Sequence, residues 1–263
     1  MTTTSRTPDS ATMSRFGRRR EACALLGAAL LLPTAEAAGA CVARSGRTVA
    51  PVVELYTSEG CNSCPPADRW LSQLKAHPEV VALAFHVDYW DRLGWKDRFA
   101  RPAHTQRQAR QQASNGARFN YTPQVVVNGR DRTDWPRIAI PPTLPATDAA
   151  AVELTLARDG SRVTATVLPG TASPKRLAAY WAVTEQNHVS AVHSGENQGV
   201  TLRHDYVVLD YRPVGAWPAK VAAAHSFHFD LAAGASATHP REVNLVVVDA
   251  DTGKPLQALK IRC

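Results

Sequence analysis

Residues 52–70 read VVELYTSEGCNSCPPADRW, and the fold expectation turns on them. Val52 to Thr57 is an apolar, β-branched run that reads as a strand, and Ser58-Glu59-Gly60 turns it tightly. Cys61 and Cys64 then open a helical segment whose Trp70, Leu71 and Leu74 share an apolar face. A Cys-x-x-Cys at a strand-to-helix junction is what thiol–disulfide chemistry requires. The unpaired N–H groups and positive dipole end of a helix start favour the thiolate, which is the reacting species. The two-residue spacer lets one sulfur reach the other and close a small ring. Half of a metal site is the main rival for such a pair, and a purely structural disulfide is the plainest reading.

Outward from this motif, the bounds are those of an ordinary globular chain. It has 263 residues, 44% hydrophobic and 20% charged, which accommodates one or two domains with real cores. No apolar run reaches the roughly 18 residues of a membrane-spanning helix, so no span is expected. The net charge is +7, but residues 1–40 hold five arginines and three acids, which leaves 7 − 2 = +5 beyond them. That charge is scattered, without basic runs interleaved with aromatics, so nucleic acid is not an expected partner. No serine–histidine–acid arrangement and no phosphate-cradling glycine loop stands out.

Residues 1–40 read as an export signal and are set apart from the fold. A basic stretch, Arg15 to Arg20, precedes the apolar Ala22–Leu32, and Ala35/Ala37 or Ala38/Ala40 supply small-residue cleavage sites. Arg18-Arg19-Arg20 resembles a twin-arginine signal. A periplasmic or secreted location is therefore expected, with either Met1 or Met13 as the start. Cys41 follows the small residues, but Glu36 and Ala38 argue against a lipid anchor there. Four cysteines remain after the signal. Cys61–Cys64 is the local pair, which leaves Cys41 with Cys263 as a structural disulfide between the ends.

Downstream, Val80 to Val87 (VVALAFHV) is the continuous apolar run of a buried parallel strand. A loop carrying Trp90 and Trp95 follows, then Lys96–Asn115, rich in Gln, Arg and Ala and read as helical apart from an early Pro102. After it come Thr122-Pro123, a short strand from Gln124 to Val127, and Asn128-Gly129, a hairpin signal. His86 and Asp88 alternate at one strand end, near the crevice expected to hold Cys61. Cys61, Cys64 and His86 thus form an alternative zinc or copper site, the reading of a metal chaperone. From residue 148 the pattern turns all-β, with a hairpin about Asp159-Gly160 and further short strands between turn signals.

VELYTSEGCNSCPPAD, FHVDYWDRLGWKDRF, YTPQVVVNG and SGENQG resemble segments of the exported bacterial family called domain of unknown function 1223, and the element order resembles thioredoxin-like proteins. The resemblance covers residues 49–129 well and continues patchily beyond; the proline-rich stretch after Trp135 departs from it. It implies an α/β thioredoxin-like domain over 41–147, while the short strands beyond it read as a mostly antiparallel β-sandwich domain over 148–263. It also implies a cis Pro123, with the Thr122 backbone free to pair with a substrate strand, and a buried carboxylate near Glu54 that relays the proton of Cys64. Glu54 is offset by one residue from the usual position of that group. The expected activity is thiol–disulfide exchange on protein thiols and disulfides. Cys61 would be the nucleophile, Cys64 the resolving group, and Trp90 and Trp95 would line the groove. No organic cofactor is expected, the redox element being the Cys61–Cys64 disulfide itself. A non-catalytic binding module is the remaining alternative.

Overall fold

The run Val81–His86 is buried at every residue. A strand shut off from water on both faces also needs both edges filled, because each of its N–H and C=O groups must find a partner. The computed structural model, which describes residues 41–116, 118–141, 149–234 and 236–263, shows what fills them. The strands and helices are β1 (Cys41–Arg44), β2 (Val52–Thr57), α1 (Pro65–Ser72), β3 (Val81–His86), α2 (Pro102–Ser114), β4 (Gln124–Val127) and β5 (Arg130–Asp131). They continue with β6 (Val152–Asp159), β7 (Arg162–Pro169), β8 (Arg176–Glu185), β9 (His188–Ala191) and β10 (Thr201–His204). The chain ends on β11 (Val207–Pro218), β12 (His225–Asp230), β13 (Arg241–Asp249) and β14 (Pro255–Ile261).

One edge of β3 takes β2 in parallel, from Val52 opposite Val81 to Thr57 opposite His86. The other edge takes β11, also in parallel, with Val207 opposite Ala84 and the Ala84 amide donating to Tyr206 O at 2.8 Å. β11 then pairs antiparallel with β8, and β8 with β13. A single eight-stranded sheet results, in the order β14-β13-β8-β11-β3-β2-β4-β5. The expectation of an α/β thioredoxin-like domain followed by a β-sandwich domain is overturned by this sheet. The protein is mostly β, with fourteen strands and two α-helices among the described residues, and strands from both halves share one set of hydrogen-bonded ladders. The apolar pattern of residues 80–87 showed that both faces were covered; it held no information on which distant strand lay alongside.

Alternation sorts the core into two sides. Val53 and Leu55 face α1, packing with Ala67, Trp70, Leu71 and Leu74. Val52 and Tyr56 face the other way, with Phe85, Tyr180 and Val208. That second side carries α2, whose His104 meets Phe85 edge-on and whose Arg107 lies 3.8 Å over the Tyr180 ring. Further along, the four-stranded sheet β1-β6-β7-β12 covers Leu177, Ala179, Trp181 and Val183 of β8, so the two sheets pack face to face at this end. Cys41 and Cys263 lie at disulfide distance, with Cα atoms 6.0 Å apart, and tie β1 to the end of β14. With a sequence separation of 222, the chain-entropy account assigns this bridge about 5 kcal/mol.

Two local expectations, the proline-led helix and the Asn-Gly hairpin, have counterparts in the structure. α1 begins with Pro65-Pro66, where a missing N–H costs no helical bond, and passes into a 3₁₀ turn over Gln73–Ala76. Asn128 and Gly129, both at positive φ, turn β4 into β5. No helix of the described residues is long and apolar enough to cross a membrane. Residues 1–40, where an export signal is expected, and the stretch 142–148 lie outside the described residues.

Candidate functional site

The turn after β2 is held by its own backbone. Cys61 N–H donates to Ser58 O at 3.2 Å, and Cys64 N–H to Cys61 O at 3.2 Å. Cys64 is the N-cap of α1, and its carbonyl accepts the first helical bond, from Ala67 at 2.9 Å. Cys61 and Cys64 lie at disulfide distance with Cα atoms 5.5 Å apart, and Ser63 Oγ is 3.3 Å from Cys61 Sγ. Both cysteines are fully buried, whereas Asn62 and Ser63 are exposed. Cys61, the expected nucleophile, is thus no more exposed than Cys64.

The cover comes from the far half of the chain. Asn197, in the loop between β9 and β10, donates from Nδ2 to the carbonyls of Glu59 and Cys61, both at 2.9 Å. Glu196 Oε2 accepts the Asn62 amide at 3.1 Å. The same loop is tied to the tryptophan loop where Ser194 Oγ donates to Gly94 O. SGENQG is thus a strap across the Cys-x-x-Cys turn.

Trp90 and Trp95, both half-buried, are each anchored through the indole nitrogen. Trp90 Nε1 donates to Thr122 Oγ1 at 2.8 Å, and Trp90 packs so closely on Gly60 that a Cβ there would stand 3.2 Å from its own Cβ. Trp90 therefore links the cysteine turn to Thr122-Pro123, whose peptide bond is cis. Trp95 Nε1 donates to Glu59 Oε2 at 2.7 Å.

Glu54 does not join the cysteines. It points to the face of β2 opposite α1, where its carboxylate accepts from Arg107 Nε at 3.0 Å, Tyr180 Oη at 2.6 Å and Tyr56 Oη at 3.4 Å. Arg107 Nη2 also donates to it. The proton-relay expectation for Glu54 is corrected accordingly: a carboxylate one residue off in a strand lands on the wrong side. Burial pushes the Tyr56 and Tyr180 hydroxyls well above their usual range, with the Glu54 charge adding to the effect.

The acids and histidines beside the cysteines are instead Glu59, Asp68, His86, Asp97 and His204, all buried. Asp68, four residues along α1 from Cys64, accepts Thr57 Oγ1 on Oδ2 at 3.1 Å. Its Oδ1 lies 3.8 Å from His204 Nδ1, and Glu59 Oε1 lies 3.5 Å from His204 Nε2. Burial opposes charge on His204, but Asp68 and Glu59 on either side raise its pKa to about 10. His86 Nδ1 is 2.6 Å from Asp97 Oδ2, which also takes the Glu59 amide at 2.9 Å. Burial disfavours the Asp97 carboxylate, yet the His86 charge and these hydrogen bonds bring it down to about 2. His86 and His204 rings meet edge-on at 4.9 Å.

Among the described residues, the set of three or more His, Cys, Asp or Glu whose ligand atoms converge is Asp68, His86 and His204. The structure therefore does not bring Cys61, Cys64 and His86 together as a metal site. Asp88 is also elsewhere, accepting Thr105 Oγ1 at 2.5 Å at the start of α2. Reading the sequence missed Glu59, Asp68, Asp97 and His204. Glu59, Asp68 and Asp97 stand inside the quoted motifs, so the signal was present. His204 has none, since only the strand pairing carries β10 onto α1.

Comparison with known proteins agrees with this architecture. A crystal structure of a protein from Agrobacterium tumefaciens is similar over 82% of this chain and 96% of its own, at 26% identity and a TM-score of 0.61. HBP35 of Porphyromonas gingivalis is similar over 83% of this chain and 76% of its own, with a TM-score of 0.58. At 14% identity that similarity concerns the fold alone. None of the curated proteins matches the chain. The sequence pattern of one family spans residues 52–248, from the first residue of β2 into β13, and so takes in the cysteine turn, the tryptophan loop and the strap. By that match the chain belongs to the family described as protein of unknown function, DUF1223.

Proposed function

We propose that Cys61 and Cys64 are a redox-active pair, and that the protein exchanges thiols and disulfides with protein partners outside the cytosol. The observation that carries this reading is the pair itself, two sulfurs at disulfide distance in the turn that opens α1. Reduced, the Cys61 thiolate attacks a partner disulfide, forming a mixed disulfide and releasing one partner thiolate. Cys64 then loses its proton and attacks Cys61 Sγ, which re-forms the ring and expels the second partner thiolate. Two electrons pass to the partner. The reverse sequence oxidises a partner dithiol. The Ser63 hydroxyl, 3.3 Å from Cys61 Sγ, supports Cys61 as the thiolate-bearing sulfur. The Cys41–Cys263 bridge is compatible with a periplasmic or secreted protein.

The deciding experiment equilibrates the full chain in dithiol buffers of graded potential, quenches by alkylation and maps the peptides, so that Cys41–Cys263 is scored separately. A potential near about −270 mV makes the pair a reductant, and one near about −120 mV an oxidant. A pair that does not equilibrate with dithiol or glutathione at all refutes the oxidoreductase reading.

A further inference from the structure

We propose that Asp68, His86 and His204 form a binding site for a divalent first-row transition ion beneath the Cys-x-x-Cys helix. Their ligand atoms lie within 4.8 Å of one another, on α1, β3 and β10, and the three side chains are 6%, 0% and 2% exposed. Two imidazoles and one carboxylate, with the remaining positions left to water, are a donor set of zinc and non-haem iron(II) sites.

Each donor is already aimed by a neighbour of the kind that metal sites use. Asp97 Oδ2 acts as an acceptor toward the Glu59 amide, so the His86 nitrogen 2.6 Å from it is the N–H donor. The other ring nitrogen, Nε2, is buried and without any hydrogen-bond partner. On His204, Glu59 Oε1 stands 3.5 Å from Nε2 and Asp68 Oδ1 stands 3.8 Å from Nδ1. Glu59 thus flanks one ring nitrogen and Asp68 the other. Thr57 occupies Asp68 Oδ2 and leaves Oδ1 for the ion.

An ion triad of Asp68, His204 and Glu59 balances charge on His204 without a metal. It leaves His86 Nε2, both His204 ring nitrogens and Glu59 Oε1 buried without a hydrogen bond, and a fully buried polar atom without a partner is rare. Ligand atoms on a tetrahedral ion with bonds of about 2.1 Å sit about 3.4 Å apart, so closing the site takes shifts of about an ångström. The Nδ1 proton of His204 leaves as the ion enters. A cavity of about 140 Å³ between α1 and β10, lined in part by Pro65, Arg69 and Leu202, reaches Asp68 and His204 and supplies a way in. The proposal stands apart from the redox reading because neither sulfur is a ligand.

The test keeps the full chain oxidised, so that no thiolate competes, strips it with a chelator and titrates it with Zn²⁺ alone. Expected is one saturable zinc per chain. Affinity should fall at least about 100-fold in His86→Gln and Asp68→Asn, and about 10- to 100-fold in Asp97→Asn. In the wild type, the imidazole ¹⁵N resonances of His86 Nε2 and His204 Nδ1 should move with the zinc titration, which keeps the test decisive where a variant does not fold. Absence of saturable binding, affinity unchanged in folded His86→Gln, or resonances that do not move would each overturn the assignment.

Discussion

Replacing Asn197 with alanine isolates the strap over the cysteine turn. In the native chain the Asn197 amide makes two 2.9 Å bonds, to Glu59 O and Cys61 O, from a side chain that is only 5% exposed. A neutral hydrogen bond contributes about 1 kcal/mol net, and each carbonyl left unpaired in a buried site costs about as much or more. N197A should therefore lower stability by about 2 kcal/mol. Both sulfurs are fully buried, so reduction of the pair needs a local opening. If the strap is what opens, the opening free energy falls by the same amount, and at 1.4 kcal/mol per factor of ten the rate of reduction by dithiothreitol rises roughly 25-fold. The assay is quenched alkylation with peptide mapping, which reads Cys61 and Cys64 apart from Cys41 and Cys263. Val163→Ala serves as the control, because Val163 is fully buried in the sandwich core and its truncation costs about 2 kcal/mol without touching the strap. Equal acceleration in both variants would mean that reduction proceeds through global unfolding. Loss of stability in N197A with no acceleration would mean that the sulfurs are reached by another route. Either result refutes the strap argument.

Two further outcomes follow from buried charge elsewhere in the sheet. Arg107→Met strands the Glu54 carboxylate, 3% exposed, and should cost about 3–5 kcal/mol in urea denaturation. The pair of changes Glu54→Leu with Arg107→Met should cost less than Arg107→Met alone; a double variant as unstable as the sum of the singles would rule out a coupled pair. His104 is held neutral by burial, its pKa lowered from 6.5 to about 4. The unfolded chain thus binds one more proton than the folded chain between those values, and stability is lost as pH falls from about 6.5 to about 4. The gap of 2.5 pH units, at about 1.4 kcal/mol each, is worth about 3 kcal/mol. His104→Gln should flatten the pH dependence of the urea midpoint by that amount, and an unchanged slope would show that other groups govern acid lability.

What the sequence determined by itself is local. The strand, tight turn, Cys-x-x-Cys and proline-led helix of residues 52–72 were legible because each is set by neighbours a few positions away. The Asn128-Gly129 and Asp159-Gly160 hairpins were legible for the same reason, and the cysteine count alone left Cys41 for Cys263. The side of β2 on which Glu54 falls was also written in the alternation with Val53 and Leu55, but its partner Arg107 lies 53 positions away, on α2.

Tertiary structure decided the rest. Backbone ladders are made of N–H and C=O groups common to every residue, so the apolar run of β3 could announce burial without announcing β11 as its neighbour. That one pairing merges the two halves into a single sheet. A strap from residues 194–199 lies across the cysteines, and the ladder of β9 with β10 brings His204 to Asp68 and Glu59. A buried cluster drawn from residues 59, 68, 86, 97 and 204 has no sequence period, because side chains converge in space at no spacing along the chain.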